Sequence, residues 1–240
     1  MELPIIYKDE ALVAINKPHG LLTHFSPIAR DANECALQLL RDQIGQRVWP
    51  VHRIDRKTGG VLLFTLQSDL VYPVQQQFFD HTTIKKHLAI VRGFAPESGE
   101  IDYPLRNENG IVQTAITNYT RLATTELPIP LGNHNSVRYS LVEVYPKTGR
   151  MHQIRRHFAH ISHPIIGDRP HGCNKQNRFF KNTWQLNTML LHAAELTINH
   201  PVCNKKITLA APVQSEFSRI ADLLKLKLPD FKQVAHEKPE

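Results

Sequence analysis

The stretch His52-Arg53-Ile54-Asp55-Arg56-Lys57-Thr58-Gly59-Gly60-Val61-Leu62-Leu63-Phe64 decides how the rest of the chain is read. Its first half is dense in charge and closes on Thr58-Gly59-Gly60. Its second half opens a continuous apolar run over residues 61–66, the pattern of a strand buried on both faces. A carboxylate in such a loop is held by rigid scaffold yet reachable from solvent. Asp55 has His52, Arg53, Arg56 and Lys57 as close sequence neighbours. Nearby cations favour its ionised form, which suits a nucleophile or base and not an acid. The same composition fits a turn-forming Asp in an ion pair, and on local grounds that plainer reading leads.

Before this run, residues 5–15 predict two short strands around the Lys8-Asp9-Glu10 turn, and Asn16-Lys17-Pro18-His19-Gly20 has the composition of a tight loop. Residues 34–44 predict a helix stopped by Gly45, because Ala36, Leu37, Leu39, Leu40 and Ile44 cover more than half its circumference. After it, Ser68-Asp69 predict the cap of a helix reaching about Phe79, with Pro73 tolerated near the first turn. Residues 87–91, 111–122, 139–145 and 189–198 predict strands. Residues 128–135, rich in Pro, Gly and Asn, predict a loop. Residues 151–161 predict an amphipathic helix with Met151, Ile154, Phe158 and Ile161 on one face, and 213–226 a closing helix.

Strands and helices mix without a repeating strand-helix unit. The expectation is an α+β fold with a central, mainly antiparallel mixed sheet flanked by helices and loops. Residues 1–226 are expected to form a single catalytic domain and 227–240 a mobile tail carrying Pro229 and Pro239. Three cysteines far apart, with no Cys-x-x-Cys pair, point to a reducing setting. The N-terminus has no signal-like apolar core and no run is long enough to span a bilayer, so cytoplasmic residence without a membrane partner is expected.

The formal net charge is +7, and its distribution is uneven. Between Tyr145 and Ala210 ten Lys and Arg face two acids, Asp168 and Glu195, so this segment carries the whole excess. Half of the fourteen histidines fall there as well. Such a segment is either a solvated basic face or a surface for a polyanion such as RNA.

Within it lies Thr148-Gly149-Arg150-Met151-His152-Gln153-Ile154-Arg155-Arg156-His157. On a helix Arg155 borders the apolar stripe and should be partly buried, and a half-buried guanidinium needs an acidic partner. Asp168, Glu195 or a distant carboxylate such as Asp55 could supply it. His157, His160 and His163 recur every three residues, which raises a metal site. Against it, His-Glu-x-x-His is absent, no acid lies in the cluster, and Pro164 breaks the helix, so exposed or RNA-facing histidines are expected and no metal. No Gly-x-Gly-x-x-Gly or Gly-Lys-Ser/Thr loop supports a nucleotide cofactor.

His52 to Gly60 resembles the His-Arg-Leu-Asp-x-x-Thr-Ser-Gly signature of the RluA-type pseudouridine synthases. Four further blocks agree in the family's order: Asn16-Lys17-Pro18-x-Gly20-Leu21; Lys86 through Ala89 to Gly93; Thr148-Gly149-Arg150-x-His152-Gln153-Ile154-Arg155 with His163 to Asp168; and Leu190-Leu191-His192-Ala193 with His200-Pro201. His171-Gly172 and Gln176-Asn177-Arg178 resemble the branch acting on uridine 65 of the tRNA T-stem, with ribosomal RNA as the rival substrate.

The resemblance implies a cofactor-free isomerisation of uridine; a monomer with no obligate protein partner is expected. It implies catalytic roles for Asp55, for Arg155 as the arginine paired with it, and for His87, which stands where the family usually has tyrosine. Near substrate it implies Arg53, filling the space of a flipped base, an apolar wall at Leu191, and His52, Lys86, Arg150 and His152. Leaving the stack costs a base a few kcal/mol, so an inserted cation that also meets phosphate is physically sensible. A non-catalytic RNA-binding protein or chaperone on the same fold is the reading from a different class.

Overall fold

A computed structural model describes residues 1–25 and 33–230. Its elements in chain order are β1 (Ile5–Lys8), β2 (Leu12–Lys17), α1 (Ala36–Ile44), β3 (Trp49–Pro50), β4 (Gly59–Thr65), α2 (Val71–Phe79), β5 (Ile84–Arg92), β6 (Ser98–Asp102), β7 (Leu105–Arg106), β8 (Val112–Gln113), β9 (Ile116–Leu127), β10 (Val137–Pro146), α3 (Gln153–His160), α4 (Asn174–Trp184), β11 (Leu191–Asn199), β12 (Lys206–Ala210) and α5 (Ser215–Leu223). The fold is α+β with mainly antiparallel strands, as expected. The chain divides into two compact units, one from Met1–Lys85 with Ala193–Val213, the other from Lys86–His192 with Gln214–Pro229. Among the described residues no helix is long and apolar enough to cross a membrane. The expected tail at 227–240 lies, from residue 231 on, outside the described residues.

In the first unit β2 pairs antiparallel with both β1 and β4. Every residue of β4 is buried, and its two faces serve two clusters. Leu62 and Phe64 join Val13, Ile15 and the α1 residues Ala36 and Leu40. Val61 and Leu63 join Leu12, Ala14 and Val74 of α2. A strand covered on both sides needs apolar residues at every position, which is why this run showed no alternation. Two boundaries differ from expectation. β2 continues through Asn16 and Lys17 before the chain turns, and Ser68 and Asp69 form a 3-10 turn ahead of α2 with no side-chain cap.

In the second unit β10 pairs antiparallel with β5 and β9, and β9 with β6. Ile154 and Phe158 of α3 pack on Ala89, Val91, Tyr119, Val142 and Val144, so one face of this sheet is closed by α3. The strand expected over 111–122 is two pieces, β8 and β9, separated at Thr114 and Ala115. There the Ala115 carbonyl accepts from the Tyr103 amide and the Thr114 carbonyl from Arg150 Nε, so neither serves a ladder. Sequence periodicity missed α4, whose single fully buried anchor is Phe180, packed edge-on against Tyr139 at 5.1 Å between centroids.

Candidate active site

The loop bearing Asp55 is fixed from one side by residues 17–23, all within the first unit. The Gly20 amide donates to the Arg56 carbonyl at 2.8 Å, Arg56 Nε returns a bond to the Gly20 carbonyl at 2.9 Å, and the His19 ring meets the Lys57 carbonyl at 2.7 Å. The Asp55 carbonyl accepts from the Thr58 amide at 3.0 Å, closing a turn around Arg56 and Lys57. Asp55 itself is half-buried and Arg53 exposed.

Behind the loop stands Lys17, a fully buried lysine. Its Nζ donates to the carbonyls of Pro18, Leu21 and Arg56 at 3.0, 2.7 and 3.2 Å. Burial pulls its pKa down to about 7, the Asp55 carboxylate acts against that shift, and Arg56 adds to it. Three carbonyls matching the three N–H bonds of an ammonium hold the charged form. Sequence reading assigned Lys17 to a loop; the available signal was a lone lysine closing an apolar strand before proline.

His52 Nε2 accepts from the Leu63 amide at 3.0 Å, and its ring stacks on Phe78 at 4.9 Å. Burial, reinforced by the Lys85 ammonium, pushes its pKa down to about 3, so the ring is neutral with its proton on Nδ1. These contacts anchor the start of the loop to β4 and α2. Gly60 carries φ +111°, and a Cβ there would lie 2.1 Å from the Ala193 carbonyl oxygen. That close approach explains a glycine at the loop's exit.

In the second unit the Thr148–Gln153 turn is cross-braced. Gln153 is buried and uses its whole amide: Oε1 accepts from Thr148 Oγ1 and the Arg150 amide, and Nε2 donates to the Ile116 carbonyl and Thr117 Oγ1. His152 takes a left-handed conformation, φ 54°, and its Nδ1 lies 3.0 Å from Nε2 of His171. The helix therefore starts at Gln153, and Met151, expected on its apolar face, is instead exposed.

Arg155 is buried, and its guanidinium pairs with the Asp168 carboxylate. Nε donates to Oδ2 at 2.9 Å and Nη2 to Oδ1 at 2.8 Å, a two-toothed fork. His87 is buried on β5 opposite Val144, on the same strand face as Ala89 and Val91, the face that α3 covers. Leu191 is part of that same cluster with Ile154. Within this unit, then, the layer between β5 and α3 gathers His87, Leu191 and the helix of Arg155. Lys86 points to the opposite face, 3.8 Å from Glu143, and Arg150 reaches the Thr114 carbonyl.

The recurrent histidines have other work. His157 Nε2 meets the Tyr103 carbonyl at 3.0 Å, His160 stacks on Tyr103 at 3.7 Å, and His163 Nδ1 meets the Arg92 carbonyl at 2.8 Å. Burial lowers the pKa of His157, which favours a neutral ring bonded to that carbonyl.

This fold has been seen before: a solved structure titled Human RNA Pseudouridylate Synthase Domain Containing 4 superposes with a TM-score of 0.74 over 95% of each chain at 24% identity, a likeness of fold alone. The family model described as RNA pseudouridylate synthase matches residues 11–160, a span that holds Lys17, Asp55, His87 and Arg155. The chain belongs to that family, and so to the isomerases that turn uridine in RNA into pseudouridine. Its relatives include the tRNA pseudouridine synthase C of Haemophilus ducreyi, 43% identical over 96% of this chain and 99% of that one. The protein of the same name from Vibrio cholerae is 44% identical over 87% of this chain and 90% of its own.

Proposed function

We propose that this protein converts one uridine of tRNA, position 65 in the T-stem, to pseudouridine, acting as a cytoplasmic monomer without metal or organic cofactor. The observation that carries this reading is the near full-length identity to proteins named tRNA pseudouridine synthase C. The motif blocks and the basic segment between Tyr145 and Ala210 support it.

Asp55 is the reactive carboxylate. It either attacks C1′ or assists loss of the 2′-hydrogen to give a glycal. On both routes the N1–C1′ bond breaks, the uracil turns, a C5–C1′ bond forms, C5 gives up its proton and N1 ends protonated. Arg155 acts with Asp55 in the chemical step, His87 lies flat on the uracil and takes part in the proton transfer, Leu191 walls the base, and Arg53 fills the stack it leaves. His52, Lys86, Arg150 and His152 lie around the RNA.

Mapping pseudouridine in tRNA and ribosomal RNA from cells lacking this protein tests the substrate. Loss at tRNA position 65 alone is the expected result; loss in ribosomal RNA alone would assign the rival substrate.

A further inference from the structure

The buried fork between Arg155 and Asp168 lies at the end of a longer chain of contacts. Asp168 is 1% exposed, and its carboxylate also takes the His171 amide at 3.4 Å. The turn that carries it is gripped by one side chain of α4: Asn177 Nδ2 donates to the Asp168 carbonyl at 2.6 Å, and Asn177 Oδ1 accepts from the Gly167 amide at 2.9 Å. The turn has no room to drift. A Cβ on Gly172 would lie 1.9 Å from the Asp168 carbonyl oxygen, and one on Gly167, at φ +82°, would lie 2.1 Å from the Thr188 carbonyl oxygen.

We propose that Asp168, set by Asn177, is a positioning residue for Arg155. The inference rests on the reading of Arg155 as part of the catalytic machinery. A buried ion pair is a poor stability device, since desolvating both charges offsets most of their attraction. What it supplies is orientation. An arginine side chain has many rotamers, but a fork through Nε and Nη2 fixes both the plane of the guanidinium and its rotation in that plane. The direction of the remaining Nη1 corner then follows from where Asp168 is held. Asn177 belongs to the Gln176-Asn177-Arg178 run, and this geometry gives it a task.

The test measures single-turnover pseudouridine formation and tRNA affinity separately for D168N, N177A and R155A, with rates expressed per folded molecule. For D168N the rate should fall at least about tenfold and for N177A about three- to tenfold, while the tRNA dissociation constant stays within about threefold. Should D168N fail to fold, N177A, which leaves the ion pair in place, decides. Rates within twofold of wild type in the folded Asp168 and Asn177 variants, or equal losses of rate and affinity, overturn the proposal. A normal rate in R155A would instead overturn the reading of Arg155 on which it rests.

Discussion

Lys17 Nζ lies 3.2 Å from the carbonyl of Arg56, the residue next to Asp55, so the buried ammonium closing β2 is bonded directly into the candidate reactive loop. The same ammonium donates to the Pro18 and Leu21 carbonyls, so one side chain ties the loop to residues 18–21. Replacing Lys17 by Met keeps the length and removes all three donors. Stranding buried acceptors costs about 1–3 kcal/mol each before relaxation, so K17M should lose about 2–4 kcal/mol by denaturant unfolding. Its rate should also fall by about tenfold or more through displacement of Asp55. Wild-type stability in K17M would show that the three contacts carry no weight.

Gly60 tests the approach of β4 to Ala193. G60A places a methyl at φ +111° against a carbonyl 2.1 Å away, and Gly60 and Ala193 are both buried. We expect a loss of about 3 kcal/mol or more, or no soluble protein, because neither backbone can yield cheaply. A thermal melt unchanged from wild type would contradict that close approach.

His52 makes stability depend on pH in a defined direction. Its pKa in the fold is about 3, below the ordinary 6.5 of the unfolded chain. Between those values the unfolded chain holds a proton that the fold excludes. The contribution is therefore complete above about pH 6.5 and is lost as pH falls toward 3. H52Q, whose side-chain oxygen can still accept from the Leu63 amide, should flatten the dependence of Tm between pH 6.5 and 4. An unaltered slope would assign the acid sensitivity elsewhere.

Much of this was legible in the sequence, and the misses have physical causes. β4 and α1 were readable because burial on one or both faces imposes unbroken apolar patterning. The start of α3 was misplaced because His152 adopts a left-handed conformation that residue type alone does not announce. α4 was invisible because its surface is polar and its anchoring depends on Phe180 meeting Tyr139 from a distant strand. The candidate site residues come from spaced motifs and the resemblance those motifs carry. Asp168 was one of three acids open to Arg155, and the fold selects it, whereas Lys17 and Asn177 went unassigned because each acts on backbone brought near only by the fold.

With the His87 imidazole moving the proton, the pH-rate profile of the wild type should carry a titration missing from H87Y. Superimposable profiles would leave His87 as a stacking surface only.

The most direct measurement is pseudouridine formation by D55N on tRNA, read beside its tRNA affinity. Asn keeps the size and polarity of the side chain and removes the charge. We predict no pseudouridine above background with binding within about threefold of wild type, since the carboxylate acts in the chemical step and not in RNA capture. Residual turnover by D55N would contradict the assignment of Asp55 as the reactive group.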